Sequence, residues 1–209
     1  MSTAPVTACE WTGYLAEDFR FGEFPRDAVV LDVGFGTGEQ MRHLAARGCL
    51  VIGIEVDHGL ARQAQTMGLP VCRSVAEALP FKSESFDGIV CKVVLPYTDE
   101  ALAVAEMSRV LKRGGLARVS YHGLGYSLRY LLTPGHWKRR FYAARVIVNT
   151  FVYRLTARRL PGFLGDTIFQ SENRLRQYYA KAGLELLDRP YSASFGGAPV
   201  FIYHELRRN

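Results

Sequence analysis

A near-continuous apolar run that ends in three closely spaced glycines constrains this chain more than any other feature. Asp27 to Val33 carries Ala28, Val29, Val30, Leu31 and Val33, and Gly34, Gly36 and Gly38 follow at once. A strand apolar on both faces must be covered on both, as in a mostly parallel sheet between helix layers. The run therefore predicts a buried strand, a sharp turn and the start of a helix, rather than an edge strand or a membrane segment.

The rest of the first two thirds repeats that alternation. Helical spacing of Met41, Leu44 and Ala45 predicts a helix over Gly38 to Arg47, stopped by Gly48. Leu50 to Ile54 reads as a second strand and His58 to Met67 as a second helix, closed by Gly68. Pro70 to Cys72 and Phe86 to Lys92 read as the third and fourth strands. Thr98 is expected to cap a helix over Asp99 to Leu111 with Leu102, Ala105, Met107, Val110 and Leu111 as its apolar positions. Gly114-Gly115 is expected to end that helix, before a fifth strand over Leu116 to Tyr121. Later, Ser171 is expected to cap a helix over Glu172 to Ala182. Two strands then follow, Leu184 to Tyr191 and Pro199 to Leu206, joined by Gly196-Gly197. With no helix between them, this last pair is expected to be antiparallel. Alternating strands and helices imply an α/β fold with helices on both faces of the sheet.

At 209 residues with 48% apolar content, the chain suits one domain spanning 1–209 with a full core. Met1 to Glu10 lacks the basic-then-apolar pattern of a secretory signal, and no run approaches the roughly 18 apolar residues of a membrane span. Cys9, Cys49, Cys72 and Cys91 are scattered, without metal-ligand spacing. They suit a reducing, cytoplasmic setting, and no metal site is expected.

The glycine loop reads Asp32-Val33-Gly34-Phe35-Gly36-Thr37-Gly38. Its glycines let the backbone turn sharply and admit a ligand against bare peptide groups. The dinucleotide pattern G-x-G-x-x-G fails from either start: the third glycine would fall on Glu39 or on Met41. Asp32 beneath the loop suits a ligand bearing a cationic ammonium and sulfonium and would repel a pyrophosphate. Glu55 ends the second strand about 20 residues after the loop, where an acid takes the hydroxyls of a ribose.

With these features in place, the chain resembles the class I methyltransferases, and in particular the broad group (methyltransferase type 11-like) with an ALPF-x-x-x-SFD segment. Here that segment is Ala78-Leu79-Pro80-Phe81-Lys82-Ser83-Glu84-Ser85-Phe86-Asp87, and the resemblance covers roughly Val29 to Ser120. It implies a Rossmann-like, seven-stranded, mostly parallel sheet with an antiparallel last strand, and S-adenosyl-L-methionine as cofactor. Carried over by position, Gly34, Gly36 and Gly38 would line the methionine moiety and Asp32 would organise its amino group. Glu55 would hold the ribose hydroxyls and Val56 would pack on the adenine. Lys92 would offer its backbone carbonyl to the ammonium. Where the group often has an Asp for the adenine amino group, this chain has Val75, so the backbone near Ala76 would take that role.

A general base is needed only if the methyl acceptor carries a proton that must leave. The candidates near strand ends are His122, Tyr97 and Tyr121, and His122 stands where sheets of this type place ligands. Val94-Leu95-Pro96-Tyr97 departs from the signature of amino-directed nucleic-acid methyltransferases at its polar residue and first proline, leaving nothing there to hold an exocyclic amine.

The net charge of +6 is concentrated. Residues 123–170 carry Arg129, Lys138, Arg139, Arg140, Arg145, Arg154, Arg158 and Arg159 against one acid, Asp166. This segment alone is therefore 8 − 1 = +7, leaving about −1 for the remainder. Within it Trp137, Phe141, Ala144, Val148, Phe151 and Leu155 recur at helical spacing. The segment is read as a basic, aromatic, helical lid inserted after the fifth strand. The favoured acceptor is a small apolar or aromatic molecule enclosed by that lid. Three alternatives stay open: a lipid or quinone methyltransferase on an anionic membrane surface, an RNA methyltransferase, and a non-catalytic cofactor-binding subunit.

Overall fold

A computed structural model describes residues 21–135, 137–188 and 194–209. Cys9 and the Met1 to Glu10 segment lie outside the described residues, as does the end of the strand expected to reach Tyr191. The glycine-bounded apolar run forms β1 (Val29–Val33), in which Val30, Leu31 and Val33 are completely buried. It is followed by α1 (Glu39–Ala46), β2 (Leu50–Glu55), α2 (His58–Thr66), β3 (Val71–Arg73) and β4 (Phe86–Lys92). A short 3-10 turn, Leu95–Tyr97, leads to α3 (Glu100–Val110) and β5 (Leu111–His122). Then come α4 (Leu124–Leu132), α5 (Trp137–Thr156), α6 (Glu172–Lys181) and β6 (Leu184–Asp188). The chain ends with β7 (Ser194–Phe195), β8 (Ala198–Pro199) and β9 (Phe201–Arg208).

Seven strands form one sheet in the order β3-β2-β1-β4-β5-β9-β6. The first five run parallel, and β9 lies antiparallel to both of its neighbours. The sequence-derived α/β class, the seven strands and the antiparallel ending are all present. Gly196-Gly197, however, turns the separate β7–β8 hairpin instead of joining the last two strands of the sheet.

Each face of the sheet carries its own core. On one side Leu31, Val33, Ile89, Cys91 and Val119 meet Ala103, Val104 and Met107 of α3 and Leu175 and Tyr179 of α6. On the other, Val30, Val90, Phe201 and Tyr203 pack with Met41 and Leu44 of α1, Phe21 and Phe24. Full burial of each such side chain contributes about 1.5–3 kcal/mol, so both covers are needed to hold the sheet.

Two local expectations are corrected around α3. Asp99, and not Thr98, caps it: the Asp99 carboxylate accepts from the N–H of Ala101 (3.0 Å) and Leu102 (3.1 Å). The Thr98 hydroxyl instead donates to the carbonyl of Leu95 at 3.1 Å. A charged acceptor suits the positive end of a helix better than a hydroxyl does. The helix buries Ala103 and Val104, while Leu102 and Ala105 face solvent. It stops at Val110, because the fully buried Leu111 already adopts extended geometry. Gly114-Gly115 therefore lies within β5 and does not mark the helix end.

The strand order changes direction between β1 and β4. A crevice at the carboxyl ends of the strands opens at such a switch point, which is where open α/β sheets bind ligands.

Candidate functional site

A cavity of about 350 Å³ occupies that crevice. Its walls come from the ends of three neighbouring strands: Val33 and Gly34 at the end of β1, Glu55 and Val56 at that of β2, and Lys92, Val93 and Val94 at that of β4. Ser74, Val75, Ala76 and Glu77 close one side, and Tyr97 and Thr98 the other. Of the residues assigned to the cofactor from sequence, Gly34, Glu55, Val56, Ala76 and Lys92 line the cavity directly. Gly36 and Gly38 shape the loop behind it.

The loop geometry accounts for its composition. Gly34, Gly36 and Gly38 all have positive φ, at 71°, 56° and 74°, a region that other residues enter only at a cost. Gly34 is also sterically required, since a Cβ there would lie 2.4 Å from Cγ2 of Val94. Around Gly36 no described residue stands within 4 Å of a Cβ, so among these residues only its backbone conformation requires glycine.

Glu55 is 9% exposed and holds this loop. One carboxylate oxygen accepts from the N–H of Gly36 at 3.0 Å, and the other accepts from Val56 (2.8 Å) and Asp57 (3.1 Å). The carboxylate therefore ties β1's glycine loop to the end of β2 while its remaining acceptor capacity faces the cavity. The sequence reading assigned it to a ligand alone, and the structure adds this positioning task.

Asp32 lies beneath the loop, 2% exposed, and its Oδ2 has no hydrogen-bond partner among the described residues. Burial raises its pKa to about 7, against the lowering influence of the Lys92 ammonium; the nearby Glu55 raises it further. Lys92 extends on the same side of the sheet and donates to Oε1 of Gln40 at 2.5 Å. Burial lowers its pKa, partly offset by Asp32. A buried carboxylate with an unused oxygen is costly unless a donor or a cation completes it.

Val56 and Val75 are apolar yet 57% and 44% exposed, and both border the cavity. Ala76, between Val75 and Glu77, is nearly buried. Val93, next to Lys92, has φ 57°, a strained value for a β-branched residue. Its N–H donates to the Ser120 carbonyl at 2.8 Å, which holds the chain in this turn at the cavity edge.

The three candidate bases separate. Tyr97 lines the cavity. His122 ends β5, outside the cavity wall, stacked on Tyr126 with ring centroids 3.7 Å apart and planes at 7°. Burial lowers its pKa to about 4. Tyr121 is a core residue and not a site residue: it points to the opposite face of the sheet, completely buried, with its hydroxyl 2.9 Å from Nε2 of His204. The two-residue period of a strand explains the split, since neighbours must face opposite ways. His204 continues this buried chain to the Tyr179 hydroxyl at 3.1 Å.

Sequence reasoning missed a tyrosine cluster beside the cavity. The Tyr97 hydroxyl is 3.4 Å from that of Tyr142 on α5, and the Tyr126 hydroxyl donates to that of Tyr130 at 3.2 Å. Burial and then this Tyr130 contact hold the Tyr126 phenol well above its ordinary pKa, with smaller contributions from Tyr142 and Tyr97. Burial and then Tyr97 do the same for Tyr142. These phenols therefore stay protonated at neutral pH and act as hydrogen-bonding walls. The signal available in sequence was only the density of tyrosines on either side of the α4–α5 connection.

Residues 31–119 match the family model described as a methyltransferase domain. The chain carries a class I methyltransferase fold. The fold of an S-adenosylmethionine-dependent methyltransferase from Mesorhizobium loti superposes with a TM-score of 0.68 at 16% identity, covering 96% of this chain and 98% of that one. An uncharacterized protein of Methanocaldococcus jannaschii is 34% identical over 126 residues, 57% of this chain and 60% of its own length. A ubiquinone/menaquinone biosynthesis C-methyltransferase of Stenotrophomonas maltophilia is 36% identical over 103 residues, 43% of this chain and 40% of its own length. The chain thus spans less than two thirds of either relative. The methyltransferase match ends at residue 119, so the tyrosine cluster and the basic segment lie largely beyond it.

The basic segment differs from its expected arrangement. It does form helices, α4 and α5, but α5 turns Ala143, Val146, Asn149 and Thr150 inward. Trp137, Phe141, Val148, Phe151 and Leu155, expected to cover the acceptor, face solvent. The reason is polar. The Asn149 side chain donates to the Thr167 carbonyl (2.7 Å) and accepts from the Leu160 N–H (2.8 Å), and Arg145 pairs with Asp166 at 2.8 Å. These bonds fix the inward face, leaving the apolar stripe outside.

Proposed function

We propose that this protein binds S-adenosylmethionine in the switch-point cavity and transfers its methyl group to a small aromatic or apolar acceptor beside the tyrosine cluster. Asp32 carries the reading: a buried carboxylate with an unpartnered oxygen under a glycine loop calls for a cationic ligand. The other walls fit the same molecule. Glu55 offers acceptor capacity to a ribose, and Val56 and Val75 give a flat ring two exposed apolar surfaces. Ala76 supplies backbone at the edge of that ring, and Lys92 lines the same cavity.

The bound cofactor supplies an electrophilic methyl group, and the transfer is an in-line displacement. What the chain contributes is alignment and exclusion of water. Tyr97 lies at the boundary between cavity and tyrosine cluster, where the acceptor must approach. Tyr126, Tyr130 and Tyr142 orient the acceptor through their hydroxyls. His122 stays unprotonated down to about pH 4, so it accepts a hydrogen bond at neutral pH but is a weak base. This arrangement favours an acceptor whose nucleophilic atom needs little help to lose a proton.

Isothermal titration with S-adenosylhomocysteine and with NAD tests the reading. Heat with the first and none with the second is expected; the reverse would overturn it.

A further inference from the structure

We propose that the outer face of α5 is a docking surface for an anionic lipid bilayer. Trp137, Phe141, Val148, Phe151 and Leu155 are between 49% and 73% exposed. At 100° per residue they fall on one side of the helix, opposite the buried Val146. The row is about 27 Å long, taking the helical rise over its 18 residue steps. Phe163, itself exposed, stacks against Phe141 at 6.5 Å and widens the row. A contiguous apolar face of this length is uncommon on a surface that meets only water.

The charges flanking the row decide the occupant. Two of the segment's arginines serve the fold: Arg145 pairs with Asp166, and Arg159 donates to the Pro96 carbonyl at 3.2 Å. Lys138, Arg140 and Arg154 remain exposed beside the row and Arg158 just beyond the helix, which contains no acidic residue; Arg139, also exposed, lies 5.7 Å over the Tyr130 ring at the end of the helix. Two copies meeting through this face would bring like charges together with no acid on either helix. An anionic bilayer accepts both features at once, aromatic and aliphatic side chains in the interface and cations among the headgroups. Nucleic acid would use the cations but leave Val148 and Leu155 without a role.

The segment that carries the surface also reaches the edge of the cavity. Tyr142, on the inner side of α5, meets Tyr97, and Arg159 holds the Pro96 carbonyl of the turn that ends at Tyr97. Docking would set the tyrosine cluster beside the headgroup layer. The proposal stands independently of methyl transfer, since its readout is vesicle binding.

The test is sedimentation of the full chain with vesicles of phosphatidylcholine alone and of phosphatidylcholine mixed with phosphatidylglycerol. Binding to the anionic vesicles only, weakened by added salt, is expected. The variant Phe141→Ser/Phe151→Ser/Leu155→Ser and the variant Arg139→Gln/Arg140→Gln/Arg154→Gln/Arg158→Gln should each bind about tenfold more weakly or worse. Both should keep the wild-type melting temperature, because every changed side chain is exposed. In a Trp11→Phe background, the fluorescence of Trp137 should shift to the blue on anionic vesicles. The proposal is overturned if the wild type does not sediment with anionic vesicles, or if the triple Ser variant binds as well as wild type. A dimer that the triple Ser variant abolishes, without vesicle binding, would assign the face to a second copy instead. Salt-sensitive RNA binding without vesicle binding would assign it to nucleic acid.

Discussion

The walls of the cavity and the outer face of α5 are both places where the chain departs from simple burial, and they do so in opposite ways. Around the cavity, polar groups are buried with capacity left over: an oxygen of Asp32 has no partner among the described residues, and Glu55, though both its oxygens accept from backbone, keeps acceptor capacity to spare. On α5, apolar groups are left in water while Asn149 and Arg145 are taken inside. An unsatisfied buried carboxylate points to a ligand with complementary charge, whereas an exposed apolar row points to a surface. The contrast puts the proposed cofactor site and the proposed docking face on separate parts of the chain, so perturbing one should spare the other.

The largest expected effect lies in the loop. Gly36→Val should lower affinity for S-adenosylhomocysteine by roughly a hundredfold or more, because φ 56° is strained for a β-branched residue, and relaxing it would pull the Gly36 N–H away from Glu55. Titration calorimetry on folded protein measures it; near-native affinity would show that the loop does not shape the site.

A smaller loss, about ten- to hundredfold, is expected for Glu55→Gln, which replaces charge-assisted contacts with neutral ones. Its melting temperature should fall only modestly, since the amide oxygen can still accept from backbone N–H groups. Full affinity in this variant would leave Glu55 as a loop brace alone.

Asp32 makes the comparison pH-dependent. With its pKa raised to about 7 from an ordinary 3.8, the ligand-free folded state holds a proton that the unfolded state releases. Stability should therefore fall as pH rises from about 4 to 7. A cationic ligand prefers the ionised form, so affinity should strengthen over the upper part of that window, with a proton released on binding. Calorimetry in buffers of different ionisation enthalpy reads the proton, and Asp32→Asn should abolish both trends. Affinity independent of pH in the wild type would remove Asp32 from the ligand.

Smaller still is Tyr142→Phe, which deletes the contact with Tyr97. It should raise the KM for the acceptor a few-fold, as expected for one neutral hydrogen bond, while cofactor affinity stays unchanged. A change in cofactor affinity alone would place Tyr142 on the wrong side of Tyr97. The smallest effect is that of Phe151→Ser on cofactor affinity, expected to be nil by titration; any loss would mean that the two regions are coupled.

The cavity was legible in sequence because its demands are local. Three positive-φ positions require glycine wherever the rest of the chain goes, and a carboxylate two residues before the first glycine and another at the next strand end follow from strand length. The same local logic placed β1, β2 and β4 almost to the residue. It misread Tyr121, since the alternation of a strand says that Tyr121 and His122 face opposite sides but not which of them meets the ligand. It also missed the tyrosine cluster, whose members come from the turn before α3 and from α4 and α5, and which only the packing of those elements assembles.

In the sequence alone, the apolar runs, the glycine spacing and the charge distribution already determine the α/β class, the antiparallel ending, the cofactor loop and the basic helical segment, because each depends on neighbours within a few turns or strand lengths. Tertiary structure decided which face of α5 is inside. Helical periodicity shows that Trp137, Phe141, Val148, Phe151 and Leu155 share a side, but that side turns outward because Asn149, Thr150 and Arg145 find their partners in Thr167, Leu160, Phe169 and Asp166. Those partners are more than ten residues away in sequence, and nothing short of the folded chain brings them together.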